Sequence, residues 1–355
     1  MCLTIQTIYM NTAMDNRTLY DISWQVPEKV YREDSALSYS VLARFNRTGF
    51  NGLKSLFDKV ESPSLTFGSA VDSIITGGKE EFDSRFIVAE LHPVRESISS
   101  IVRTLFHDFR EKYHNLRDIP DGIIIDYATR SNFQSNWKPE TRGKVIKEEG
   151  YEYYKLLYIS EGKTILDTGT YQSVCNTVDA LRNSASTRWY FQPDSPWDDI
   201  ERFYQLKFKT VLNGVSYRCM ADLLIVDHGR KVIIPVDLKT SSKPEWDFYK
   251  SFIEWDYQIQ ARLYWRIIRS VLDRDPIYKD YKLLDYRFIV VCSKTLKPLV
   301  WEFEKTTELG DIIYPDMRLR DPEAIGSELN KYLSQVFDVP IGICENGINS
   351  ICDWL

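Results

Sequence analysis

The sequence predicts an α/β (α+β) protein: a central mixed sheet, with an antiparallel core hairpin, flanked by helices. Three observations carry this. Phe203 to Leu212 alternates as a strand, Asn213-Gly214 supplies a tight hairpin turn, and Val215 to Val226 returns. A polar turn, Asp227-His228-Gly229-Arg230, then separates that strand from the apolar run ending Val236-Asp237-Leu238-Lys239. Beyond it Trp255, Ile259, Leu263, Ile267 and Val271 recur every four residues and predict one amphipathic helix. Tyr286 to Cys292 and Leu299 to Phe303 read as two further strands.

Bulk properties narrow the class. The chain has 355 residues, 43% of them hydrophobic, and a formal net charge of −6. That is enough for one large domain or two small ones, and it excludes a uniformly basic nucleic-acid coat. Residues 201–300 nevertheless hold 18 Lys and Arg against 12 Asp and Glu, a local excess that suits a polyanion channel or a solvated face. Cysteines at 2, 175, 219, 292, 344 and 352 form no C-x-x-C pair, so zinc and iron–sulfur spacings are absent and reduced thiols in a cytoplasmic setting are expected. Neither a signal peptide nor a membrane-spanning run is read.

The remaining elements follow from local chemistry. Residues 1–34 are polar and irregular. Ser38 is placed to cap a helix carrying Val41, Leu42 and Phe45. Asn46 to Pro63 reads as a loop with a helical turn. Phe67, Ala70, Val71, Ile74 and Ile75 follow helical spacing, with small residues Gly68, Ser69 and Ala70 permitting close packing and Asp72 at the border of the stripe. Glu96 to Leu116 is helical, Ile123 to Ile125 a short strand or buried turn, and Trp137 to Arg142 a polar loop. Val145 to Tyr158, Tyr171 to Ser184 and Pro322 to Phe337 read as helices. On the 255–271 helix, Gln260 and Tyr264 share one face, and Arg262, Arg266 and Arg269 fall on the side expected to be exposed.

The second turn brings chemistry together. If the ladder closes symmetrically on His228-Gly229, Val226 faces Lys231 and Asp222 faces Pro235. Asp237 is then a diagonal neighbour of Asp222 on the same face, roughly 7–8 Å away. Strand alternation puts Lys239 on that face as well. Paired carboxylates suit Mg²⁺, the Leu238 carbonyl is a further candidate ligand, and a lysine there could steer a water or offset developing charge. A surface hairpin with solvated charges is the plainer alternative. Pro235 implies an edge or a bend just before Asp237.

Asp222, Asp237-x-Lys239 and the helix bearing Gln260-Ala-Arg-Leu-Tyr264 resemble the PD-(D/E)XK nuclease superfamily. Its RecB-like, RecE-like and lambda-exonuclease-like members share such a Q-x-x-x-Y helix, and the RecE-like group, of the exodeoxyribonuclease VIII and phage type, is the one this chain resembles most. Leu37-Ser-Tyr-Ser-Val-Leu42 resembles that group's S-x-S-x-L helix, and Trp137-Lys138 its W-K/R loop. The resemblance covers roughly residues 35–337. It implies a restriction-endonuclease-like core and one domain over 35–337, with a helical half (35–200) and a nuclease core (201–310). An extension (1–34) and a tail (338–355) would flank it. It departs at two places: Asp72 stands where the family has the histidine of G-x-x-x-H, and no carboxylate stands near Gln205, where a glutamate is frequent.

The resemblance implies a Mg²⁺- or Mn²⁺-dependent deoxyribonuclease that degrades linear DNA from an end, acting in recombination or DNA processing. Asp72, Asp222, Asp237 and the Leu238 carbonyl would be the metal ligands, and Lys239 would orient the water. Gln260, Arg262 and Tyr264 would contact DNA, with plain helix packing the alternative for Gln260 and Tyr264. Duplex ends or single strands, a recombination or annealing protein and a homo-oligomeric ring are the implied partners, in the cytoplasm and away from membranes. A structure- or site-specific endonuclease and a catalytically decayed DNA-binding protein are the competing readings.

Overall fold

The computed structural model describes residues 17–58, 60, 62–90, 94–195, 197 and 199–337. The expected tail (338–355), residues 1–16 of the expected extension, and Cys2, Cys344 and Cys352 lie outside them. The helices are α1 (Leu19–Ile22), α2 (Glu28–Glu33), α3 (Tyr39–Thr48), α4 (Pro63–Arg85), α5 (Glu96–Phe109), α6 (Asp121–Arg130), α7 (Pro139–Ile159), α8 (Thr168–Asn183), α9 (Arg188–Phe191), α10 (Phe248–Glu254), α11 (Tyr257–Leu272) and α12 (Pro322–Phe337). The strands are β1 (Phe86–Val88), β2 (Thr164–Leu166), β3 (Ile200–Leu212), β4 (Val215–Asp227), β5 (Val232–Ser241), β6 (Lys282–Leu283), β7 (Tyr286–Cys292), β8 (Leu299–Phe303), β9 (Ile312–Tyr314) and β10 (Met317–Leu319). The mixed sheet flanked by helices matches the expected class.

The chain forms two compact units, Met1–Gly68 with Thr177–Leu355, and Ser69–Asn176. The helical half expected over 35–200 thus spans both. In the second unit α5, α6 and α7 share a core of Ile98, Ile101, Val102, Leu105, Ile124 and Ile146. Gly150 lets α7 approach closely, since a Cβ there would lie 2.6 Å from Val102 Cγ2. Two readings of this unit are corrected. Ile123 to Ile125 is helical, inside α6, because three consecutive apolar residues carry no period and Pro120 opens a helix just before them. The polar run after Lys138 is also helical, since Pro139 occupies the first position of α7, where a missing N–H costs nothing.

The first unit holds the main sheet, ordered β3-β4-β5-β7-β8 with β6 beside β5. β3, β4 and β5 are antiparallel, β5 and β7 parallel, β7 and β8 antiparallel. A parallel pair needs a crossover, and α10 and α11 provide it. Ile259, Leu263, Ile267 and Ile268 of α11 join Leu206, Tyr217, Leu224, Phe288 and Val290 of the sheet in one core with Leu42 and Phe45 of α3. Pro235 is tolerated inside this sheet because it falls between two ladders: β6 pairs with β5 as far as Ile233, and β7 starts at Val236.

The helix expected over 255–271 is shorter at its start. Trp255 ends α10, Asp256 breaks the helix at φ 55°, and α11 begins at Tyr257. Its arginines are also corrected. Arg262 is fully buried and Arg266 nearly so. Arg262 Nη2 donates to the Glu308 carbonyl at 3.0 Å, and both arginines pair with Asp321, at 3.0 and 2.7 Å. At Arg262 and Arg266 the stripe read as solvent-facing is covered by 308–321, a contact remote in sequence. Arg218, with 10% of its side chain exposed, and Arg202, with 3%, are likewise internal. These four arginines therefore pair with acids of their own unit and take no part in a surface channel.

Burial pushes the Asp321 carboxyl up, but Arg266, the Ala324 N–H and Arg262 outweigh it and hold it below the usual carboxylate range. Its stabilising contribution is therefore full above the unfolded value of about 3.9 and is lost as pH falls through the lower folded value. Asp321→Asn leaves two buried guanidinium groups short of a charge and should cost about 3 kcal/mol at pH 7. Chemical denaturation at pH 7 and pH 3 checks this: the loss should shrink at the lower pH, and an equal loss at both would contradict it.

Candidate active site

The β4–β5 turn sets the register, and it is wider than a two-residue loop. Asp227 pairs with Val232, leaving His228, Gly229, Arg230 and Lys231 in the loop. Asp227 Oδ1 accepts the Arg230 N–H at 2.8 Å. The left-handed position is taken by Lys231, at φ 51°, and not by Gly229. Leu224 therefore faces Pro235 and Leu223 faces Val236, two residues away from the symmetric closure. An even shift keeps each side chain on its face. One step further along, Asp222 stands at the position across from Asp237, directly opposite and no longer diagonal.

Asp222 also bonds the neighbouring strand. Its Oδ2 accepts the Leu238 N–H at 3.0 Å, so a half-buried side chain continues the ladder where backbone pairing stops. Asp237 is 1% exposed. A carboxylate this deep must be paired. Lys239 Nζ lies 2.5 Å from Asp237 Oδ2, an ion pair without hydrogen-bond alignment, and Gln260 Nε2 donates to Oδ1 at 2.5 Å. Burial pulls the Lys239 ammonium down, but Asp237, with Tyr257 and Asp222, outweighs it and raises its pKa well above the usual lysine range. The group is a fixed cation at neutral pH.

The structure thus brings Asp222, Asp237, Leu238 and Lys239 together and adds Gln260 from α11. Tyr264 is one turn further on the same helix, 7% exposed, its ring 6.2 Å from that of Tyr286 at 77°. Burial, above the neighbouring ionisable groups, drives its hydroxyl far above the ordinary phenol range. Gln260 is 4% exposed and engaged on Asp237, while Tyr264 packs in the core. The expected DNA contact of Arg262 is corrected outright, since its guanidinium is inside the protein. Asp72 lies on α4 in the second unit. Gly68, which falls in the first unit, lies close to β5: a Cβ on it would meet Thr240 Oγ1 at 2.9 Å.

Gln205 takes the position across β3 from Asp222. Tyr204 pairs with Leu223 and Leu206 with Ala221, so the register is unbroken, yet Gln205 itself sits at φ 53°. A non-glycine residue in that region inside a strand is strained, and such strain gathers at functional sites. Among the described residues no group of three or more His, Cys, Asp or Glu side chains is placed to hold a metal ion. The chemistry here rests on two carboxylates. Tyr257 and Phe288, both against Lys239, were not read from the sequence. The available signal was an aromatic residue one turn before Gln260.

No protein-family model matches this sequence, and no curated protein matches it significantly. Among solved structures, the chain is similar to the crystal structure of a provisionally assigned exonuclease from Eubacterium rectale. The two are 14% identical, over 93% of this chain and 87% of that one, with a TM-score of 0.39. Likeness at this level carries no argument about activity. Among the described residues no helix is long and apolar enough to cross a membrane.

Gln260 gives a direct test of how the acid is held. Its Oε1 is buried without a partner, so the side chain is aligned for the acid alone. Gln260→Leu removes the donor and leaves a buried carboxylate oxygen unbonded, at a cost of about 1–3 kcal/mol. Urea denaturation should show that loss in Gln260→Leu and only part of it in Gln260→Asn. A Leu variant as stable as the parent would mean that the bond contributes nothing.

Proposed function

We propose that the chain is a metal-dependent deoxyribonuclease that hydrolyses phosphodiester bonds of linear DNA from an end. The observation that supports this is Asp222 placed across from Asp237, with Lys239 ion-paired on the same face. Asp222 and Asp237, the latter buried beside the Lys239 ammonium, offer carboxylate oxygens, and oxygen ligands of that kind suit Mg²⁺ or Mn²⁺. Asp222, Asp237 and the Leu238 carbonyl would hold the ion. When bound, the ion would neutralise phosphate charge and lower the pKa of its water.

The chain's own groups do the rest. Lys239 presents a permanent positive charge to a water or a phosphate oxygen without having to be gathered from solvent. Gln260 fixes Asp237 from behind, and the Leu238 N–H fixes Asp222. The order Asp222, Asp237-x-Lys239, Gln260-x-x-x-Tyr264 supports the PD-(D/E)XK, RecE-like reading. Duplex ends or single strands as substrate, a recombination or annealing partner and a ring-shaped assembly belong to the same proposal. One observation favours binding without cleavage: Gln205, an amide, occupies the strand position across from Asp222.

Asp237 is too deep for truncation to leave the fold untouched, so near-isosteric variants are the better probes. Asp222→Asn, Asp237→Asn and Lys239→Met should each lower Mg²⁺-dependent cleavage of linear duplex by at least about 10²-fold, while closed circular duplex survives in the parent. Nicking of circles would favour the endonuclease reading, and no cleavage with any divalent cation would favour binding alone.

A further inference from the structure

Lys239 stands over aromatic rings as well as beside an acid. Its Nζ lies 4.7 Å from the Tyr257 ring centroid and 6.0 Å from that of Phe288. Those rings stack at 5.7 Å and 28°, and Phe248 stacks on Tyr257 at 5.8 Å and 21°. Phe288 is the ladder partner of Asp237 on β7, so the backbone fixes its place. Tyr257 is fixed by other means. It is the first residue of α11 and follows Asp256, which is left-handed at φ 55° and ψ 38°.

That conformation is unfavourable for a residue with a Cβ, and α3 holds it. Asn46 Nδ2 donates to Asp256 Oδ1 at 3.0 Å, and Arg47 Nη1 pairs with Oδ2 at 3.3 Å. Tyr39 Oη donates to the Trp255 carbonyl at 2.6 Å. The clamped joint turns the chain from α10 into α11 so that Tyr257 and Gln260, three residues apart, lie on one side of the helix. One helix end therefore delivers a ring to the lysine and an amide to the acid.

We propose that Tyr257 is a positioning residue for Lys239: its ring, with Phe288, holds the ammonium against Asp237 and fixes the direction it offers to a water or phosphate oxygen. A cation over a ring face is attracted by the ring's quadrupole, and lysine's flexible stem has much freedom to lose. A cation already in place needs no reorganisation when charge develops. The consequence for rate rests on the nuclease reading, whereas the hold on the ammonium does not.

The test has two arms on the full chain. In the first, lysine side chains are labelled with ¹⁵N and their ammonium signals recorded by NMR, Lys239 being assigned by its loss in Lys239→Arg. The signal should be sharp in the parent and in Tyr257→Phe, and broadened in Tyr257→Leu. If Tyr257→Leu does not fold, Phe288→Leu replaces it and should broaden the signal likewise. In the second arm, with Mg²⁺ and linear duplex, Tyr257→Leu should lower kcat about tenfold with KM unchanged, and Tyr257→Phe should recover most of that loss. A sharp Lys239 signal in the Leu variant, or no signal in the parent, overturns the proposal whether or not DNA is cut. A parent that cuts no DNA overturns the nuclease reading alone, and the ammonium signal still decides the hold.

Discussion

A carboxylate buried to 1% exposure is the constraint around which this fold is arranged. Asp237 sits in an interior strand of the sheet, and taking an ion out of water there costs several kcal/mol unless it is paired and hydrogen-bonded. The partners come from three directions. Lys239 is two residues along the same strand, Gln260 reaches in from α11, and Asp222 stands opposite on β4 while bonding the Leu238 N–H. Moving any one of these elements would strand a charge. β5 runs between an antiparallel and a parallel neighbour: β4 supplies the second acid, and β7 supplies the Phe288 ring.

The helix that brings Gln260 is anchored at two places along its length. Near its start, Asn46 and Arg47 of α3 hold the left-handed Asp256, whose carboxyl burial pushes up despite those partners. Further along, Arg262 and Arg266 meet Asp321, which accepts the N–H of Glu323 and Ala324 at the start of α12. An internal ion-pair network of this kind adds little net stability over an apolar one, but it is directional. It fixes the rotation of α11, and rotation decides whether Gln260 or its neighbour faces the acid.

What could be read in the sequence was what short-range chemistry dictates. Asn213-Gly214 makes a turn wherever it occurs between strands, and β7, β8 and α12 follow from alternation and helical spacing within their own segments. The site residues on β4 and β5 were legible because an error of two in register leaves parity intact, so Asp222, Asp237 and Lys239 stay on one face. The failures share one cause. Arg262 and Arg266 look solvated on a helical wheel, and only a contact with 308–321 buries them. Lys231, not Gly229, adopts the left-handed conformation because Asp227 caps Arg230. Whether a helix runs through Asp256 or breaks there depends on α3, more than 200 residues away in the chain.

The row Gln205, Asp222, Asp237 crosses three strands, and its charge bears on why an amide stands first. Two carboxylates and one ammonium already leave a net negative site in a partly dry environment. A third acid at position 205 would add like-charge repulsion to the pair. It would also compete with Asp237 for Lys239. An amide avoids that repulsion while still offering a donor and an acceptor. The left-handed backbone at Gln205 does not follow from the sheet, whose register continues unbroken on both sides. The strained residue of β3 is thus the one that stands across from Asp222.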